Sequence, residues 1–351
     1  MSNIKFDELV KFVSTLLNKV GLDDFSNDAV TTGLAETSLR GVDSHGIRLL
    51  PHYINSALSG RKNSRPNFTI TSKYPVIAKL NADNGFGHAA GFKAIDHAME
   101  VADKFGMCMV GVHNSSHPGS MGSYALRAAR KGYLAFAFTH ADSLLLSRNS
   151  TRPYFGTNPI CFAAPRLGME PYCLDMSTSA KSWNTVLLNR VEDKMLEEGI
   201  AADEIGDATN DPHKAKCLMP LGGEISGYKG YALSSMVEIL CGLYNGVPFG
   251  PEIPVMYKAS MKEGRNLGQL YMVFKADGCI DHESFLRDMS RMTQEVHSEP
   301  MKKNEKVILP GDKEIKIMEE RLIKGIPIDA ATLQSLYELS KKWDVPLNLI
   351  H

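Results

Sequence analysis

Apolar residues recur at helical spacing at the start of the chain. Phe6, Leu9, Val10, Val13, Leu16, Leu17 and Val20 fall on one face, which predicts a helix ended by Gly21. A Ser26 or Asn27 cap predicts a second helix through Ala29, Val30, Leu34 and Ala35 to Arg40, closed by Gly41. A third apolar stretch runs to Leu58, with Pro51 early in it, where proline is tolerated. The opening 60 residues therefore read as helical. Residues 68–82 alternate and carry prolines, as short strands do, and Phe92–Phe105 returns to helical spacing.

From residue 107 the texture becomes α/β. Met107–Val112, Leu134–Thr139, Ile160–Pro165 and Tyr172–Met176 are short apolar runs that predict strands, with a helix near Tyr124–Arg130 between the first two. Polar residues gather where these runs end, which is where α/β proteins place their sites. Residues 189–216 are charged and weakly patterned and read as an exposed excursion. Gly230–Leu243 reads as an apolar helix, 251–268 as a loop, Leu270–Phe274 as a strand and Phe285–Val296 as a helix. A Pro310-Gly311 turn and two short helices complete the chain.

Composition narrows the function classes. The 351 residues are 43% hydrophobic and 23% charged, which excludes global disorder and suggests about two domains. Thirty-nine basic residues balance forty acidic ones, so no basic surface advertises nucleic acid or an anionic membrane. No uncharged apolar run reaches ~18 residues, and the N-terminal residues lack the apolar core of a secretory signal. Six scattered cysteines form no CxxC pair and predict a reduced, cytoplasmic protein.

Several segments carry candidate chemistry. Asp43, Ser44, His45 and Arg48 stand close together; histidine suits proton transfer near neutrality, and arginine grips a carboxylate bidentately. If Ser44 caps the following helix, His45 lies in its first turn, where the helix dipole lowers its pKa. His113 and His117 have HxxxH spacing, but Pro118-Gly119 argues for a polar loop rather than a metal-binding helix. Thr157 and Asn158 lie in a turn. Asp175, Met176, Ser177, Thr178 and Ser179 supply a carboxylate and short hydroxyls after a strand, suited to ribose or pyrophosphate oxygens. Lys229 and Gly230 follow a glycine-rich approach to a helix, where a lysine suits a phosphate. Gly85-Phe-Gly-His-Ala-Ala-Gly91 is GxGxxxG, not the dinucleotide fingerprint GxGxxG, and reads as a turn before a helix.

Taken in order, the strings at 40–49, 87–91, 114–119, 155–160, 174–179 and 227–231 resemble the malate/L-lactate dehydrogenases of the second, non-Rossmann type. That family includes ureidoglycolate dehydrogenase, diketogulonate reductase and sulfolactate dehydrogenase. The resemblance implies an α/β fold, with a helical domain from both chain ends (1–115 and 313–351) and a mixed-sheet cofactor domain (116–312). It implies reversible hydride transfer between NAD or NADP and C2 of a small anionic 2-oxo or 2-hydroxy acid, by a homodimer. His45 and His117 compete for the proton transfer, with Ser44 beside them. Arg48, Thr157 and Asn158 would meet the substrate. Asp175–Ser179, Lys229, Gly230, Pro310 and Gly311 would meet the cofactor. His140 and Ala141 replace the Asn and Ser or Thr usual there, residues 181–205 match poorly, 251–275 look shortened and Asp312 replaces Glu or Gln. Two rival readings are a metal-dependent hydrolase using Asp43, His45, His113 and His117, and a catalytically dead interaction protein on the same fold.

Overall fold

The computed structural model describes residues 2–350. The first helix, Phe6–Lys19, buries Leu9, Phe12, Val13, Leu16 and Leu17, the face its periodicity requires. The second, Asp24–Leu39, is capped by the Asp23 side chain, which accepts from the Ser26 N–H. The cap thus lies ahead of Ser26 and Asn27, because Asp23 takes the first free amide and both later residues are buried inside the helix.

A seven-stranded mixed sheet forms the centre, in the order 69–74, 77–81, 107–115, 267–275, 133–139, 160–166, 169–176. Only the 77–81/107–115 pair is parallel. Helix Gly87–Phe105 packs on this sheet and ends at Gly106, whose left-handed φ of 83° closes it. The sheet takes strands from both sides of residue 115 without a break. The two chain ends also meet: Ser2–Ile4 pairs with Ile326–Ile328, and helices Asp312–Lys324 and Ala330–Trp343 pack near the N-terminal helices.

Two further expectations are corrected. Residues 189–216 are not a bare excursion. Helix Trp183–Glu192 and a small five-stranded sheet close over a core of Leu145, Val186, Leu196, Ile200, Ala201, Ala215 and Leu218. Most of its strands span two residues, too few for a period to show in the sequence. The helix expected from Gly230 instead runs Gly223–Glu238 and continues as a π-helical turn to Leu243. Its glycines permit close packing: a Cβ on Gly230 would stand 2.4 Å from the Leu221 backbone nitrogen. Among the described residues, no helix is long and apolar enough to cross a membrane.

Candidate active site

A cleft of about 1080 Å³ opens between the edge of the central sheet, the loops after its strands and helix Trp183–Glu192. Ser44, His45, His117, Thr157, Asp175, Met176, Ser177, Pro310 and Gly311 all line it. Segments separated by more than 260 residues of chain thus converge on one cavity.

Ser44 does not cap a helix. Asp43–His45 and Ile47–Leu49 are two 3₁₀ turns, and the helix starts at Leu50. His45 is therefore held by its neighbour, with Ser44 Oγ 2.8 Å from Nδ1. Its pKa falls to about 4, first from burial and then from the Arg48 guanidinium, and not from a helix dipole. Arg48 itself is exposed. Asp43 is engaged elsewhere, gripped by Arg321 at 2.6 and 2.8 Å.

His117 stacks on His45, with ring centroids 5.6 Å apart and planes within 18°. Its Nδ1 lies 3.1 Å from the Tyr53 hydroxyl and accepts the Gly119 N–H at 3.3 Å. A backbone N–H only donates, so Nδ1 carries the lone pair and the neutral ring bears its proton on Nε2. Burial, and next the adjacent His45, hold its pKa well below the usual histidine range. Both rings are neutral at neutral pH.

At the other side, Asp175 Oδ2 accepts from Ser120 Oγ at 2.8 Å and from the Gly122 N–H at 2.7 Å. The carboxylate is open to the cleft but ringed by protein, and this burial raises its pKa despite both hydrogen bonds. Gly311 faces the same strand: it has φ 94°, and a Cβ there would lie 3.1 Å from the Cys173 nitrogen. Asp312 fixes this turn, accepting from the Leu309 N–H at 2.7 Å and from Arg166 at 3.1 Å.

The remaining sequence candidates lie off the cavity surface. Asn158 is fully buried; its amide donates to Ser234 O and Glu238 Oε2, and its oxygen accepts the Ala141 N–H. Thr178 and Ser179 are buried and brace the turn, Thr178 on the Thr157 carbonyl and Ser179 on Ser177 Oγ. Lys229 is exposed in the second turn of its helix, and Gly230 is packed beneath it on Leu221. The lysine therefore does not stand at a helix N-terminus, and neither residue borders the cleft. His140 is a brace, its Nε2 accepting the Gly268 N–H at 2.8 Å beside Glu238. His113 Nδ1 contacts the Leu80 carbonyl, and no cluster of three metal-ligating side chains occurs among the described residues. The hydrolase set of Asp43, His45, His113 and His117 is not assembled.

Sequence reasoning missed the support behind the histidines. Tyr53 sits in the apolar helix Leu50–Leu58 and reads as plain core until its hydroxyl meets His117, 64 residues away. The buried Asp142–Arg265 pair joins residues 123 apart. His88 is buried between Gly33 and Gly119. No local string announces Tyr53 or the Asp142–Arg265 pair, and the string that contains His88 reads only as a turn before a helix.

This fold has solved relatives. The structure of malate dehydrogenase from Entamoeba histolytica superposes with a TM-score of 0.93 at 27% identity, covering 99% of both chains. The architecture is that of a dehydrogenase. The chain belongs to the malate/L-lactate dehydrogenase family, whose sequence model matches residues 4–337. It is 34% identical to a malate dehydrogenase of Pyrococcus abyssi over 96% of this chain and 93% of that one. It is 31% identical to the NAD(+) ureidoglycolate dehydrogenase of Escherichia coli K12 over 93% and 92% of the two chains. The family is one of oxidoreductases that generally use nicotinamide cofactors.

Proposed function

We propose that this protein moves a hydride between NAD or NADP and C2 of a small 2-oxo or 2-hydroxy acid of the malate or lactate type. One observation carries the reading: a stacked pair of neutral histidines faces a single cleft that also presents Asp175, Ser177 and the Gly311 turn. The residues fit a nicotinamide dinucleotide. The cleft is as large as the upper end of small-ligand pockets, about 1,000 Å³. Both protein hydrogen bonds to Asp175 fall on Oδ2, which leaves Oδ1 for a ribose hydroxyl. Gly311 brings bare backbone to the wall. When bound, the nicotinamide supplies the hydride chemistry.

The chain's own residues handle the proton and the substrate. In the tautomer this scheme requires, His45 donates Nδ1–H to Ser44 Oγ, which leaves the Nε2 lone pair to take the alcohol proton during oxidation and to return it during reduction. His117 presents a fixed Nε2–H to the same oxygen. This division follows from the tautomers: a ring whose Nδ1 is filled by donors has no free lone pair at Nε2. Arg48 and Thr157 orient the acid, and the bound carboxylate offsets the guanidinium that lowers the His45 pKa.

The assembly we favour is a homodimer. Ile225, Tyr228, Met236, Ile239 and Leu243 are exposed along one helix and its π-helical extension, and a second copy would cover them. The six unbridged thiols suit a reducing, cytoplasmic setting.

The test is a panel of 2-oxo acids, followed by NADH and NADPH oxidation in the wild type and in His45→Ala. Turnover of at least one acid is expected, with a loss of ~10²–10⁴-fold in the variant and cofactor affinity retained. Full turnover in His45→Ala removes His45 as the proton carrier. Failure to bind NADH or NADPH in a fluorescence titration identifies a dead scaffold.

A further inference from the structure

Lys62 has no role in the scheme above, yet it is buried beside the histidines. It is 4% exposed, and its Nζ makes no hydrogen bond. The amine lies 4.0 Å from the Tyr53 ring centre and 4.8 Å from that of Phe86. Tyr53 in turn reaches His117, so one ring separates the amine from the cleft wall. Arg61 and Arg265 are buried alongside, at 2% and 4% exposure. Arg61 grips the carbonyls of Met256 and Glu263 but leaves Nη2 without a partner. Asp142, the buried carboxylate of this cluster, is taken by Arg265. The charge of Glu263 reaches Arg61, but its side chain stands in solvent.

The wall formed by Asp142, Met256 and Tyr257 is therefore backed by two buried guanidinium groups against one buried carboxylate, with the Lys62 amine beside them behind the Tyr53 ring, where burial and the two guanidiniums hold its pKa well below the usual lysine range until an anion reaches it. An amine buried without a partner costs stability in either protonation state. Such a cost is understandable where a ligand supplies the missing anion. Lys62 is also free to answer one. It has no hydrogen bond to break, only ring faces to leave, on a flexible four-carbon stem.

We propose that Lys62 is a specificity-determining residue that takes the distal anionic group of the substrate, so that dianionic 2-oxo acids are preferred over monoanionic ones. The distal group is a carboxylate or a sulfonate. The proposal rests on the reading of the cleft given above and names the substrate class for it.

The experiment compares oxaloacetate, sulfopyruvate and pyruvate in wild type, Lys62→Met and Lys62→Gln. The wild type is expected to favour at least one dianion over pyruvate in kcat/KM. That ratio is expected to fall about tenfold to a hundredfold in both variants, the range of one charge-assisted contact. The dianion whose ratio falls further identifies the distal group. Thermal shift supplies a readout independent of turnover. With cofactor present, malate or sulfolactate should raise the melting temperature of the wild type more than lactate does, and the difference should vanish in the variants. A wild type that favours pyruvate, or a ratio unchanged in both variants, overturns the role of Lys62 while leaving the dehydrogenase reading intact. Reduction of no 2-oxo acid by the wild type sinks both.

Discussion

Tyr53→Phe isolates the hydrogen bond that orients the His117 ring, whose tautomer the Gly119 N–H already sets. The substitution removes one oxygen and keeps the ring, so the contacts to the Lys62 amine at 4.0 Å and the His88 ring at 5.3 Å survive. What goes is the 3.1 Å contact to Nδ1, which leaves the Gly119 N–H at 3.3 Å as the remaining donor. A net hydrogen bond of this kind is worth about 1 kcal/mol. If its whole value bears on the transition state, kcat/KM falls about fivefold, and up to about tenfold if the ring also loses its orientation. The same loss in a chain of 351 residues lowers the melting temperature by only about 1–2 °C. The loss is expected in kcat, with KM for the cofactor unchanged, because Tyr53 does not border the cavity. Steady-state kinetics with both substrates varied measures the split. Turnover within twofold of the wild type would refute the claim that the Tyr53 hydroxyl orients His117 for proton transfer.

Two further outcomes concern charge. The pKa values of His45 and His88 are lowered by burial to about 4 and about 3, from 6.5. Between these values and 6.5 the unfolded chain binds protons that the native state refuses, so stability is full above about pH 6.5 and falls as the medium is acidified. At pH 5.5 each of these two groups loses about 1.3 kcal/mol relative to pH 7.5, and His52 and His117, also held below the usual range by burial, add to the fall; His88→Leu should shrink the pH-dependent drop in melting temperature by about 2 °C, and stability that is flat or rising over this window contradicts the assignment. Asp142→Asn strips the buried Arg265 of its counter-charge and should cost about 3 kcal/mol, seen as a melting temperature roughly 4 °C lower. The double variant Asp142→Asn/Arg265→Met should recover part of that loss, and a single variant that melts with the wild type shows the pair to be unimportant.

What the sequence revealed follows from how far apart the cooperating residues lie. Helix Phe6–Lys19 was legible to within a residue or two because its five buried side chains repeat the helical period locally. The strands Tyr133–Thr139 and Ile160–Arg166 were legible as short apolar runs. The small sheet was not, since each of its strands contributes one or two apolar residues and its core exists only after closure. Local context also misled where one signature has two physical causes. Gly222 does adopt a positive φ of 100°, as a loop glycine would. Gly230, eight residues along, is helical and small because Leu221 packs against it. A glycine needed for its φ and one needed for its missing Cβ look identical in a sequence, so Lys229 was placed at a helix start that lies six residues earlier.

The site divides along the same line. Ser44-His45, His117 and Asp175–Ser177, which the fold brings to one cleft, stand out in the sequence because each is a polar string next to an element end, and Pro310-Gly311 stands out only through the family resemblance. Their support was not found, because a buried partner chosen from another part of the chain leaves no local trace. Tyr53 in an apolar stripe is indistinguishable from core, and Lys62 before Asn63 and Ser64 looks like a solvated loop lysine. Only burial changes that meaning. The same lysine in water would be unremarkable, whereas an amine between two aromatic rings without a hydrogen bond requires an explanation. The near-zero net charge of the chain conceals this as well: a total of -1 is compatible with a cluster in which two guanidinium groups and an amine are buried with one carboxylate. A site for an anionic cofactor and an anionic acid therefore needs no basic surface. It needs a few cations held where water cannot screen them.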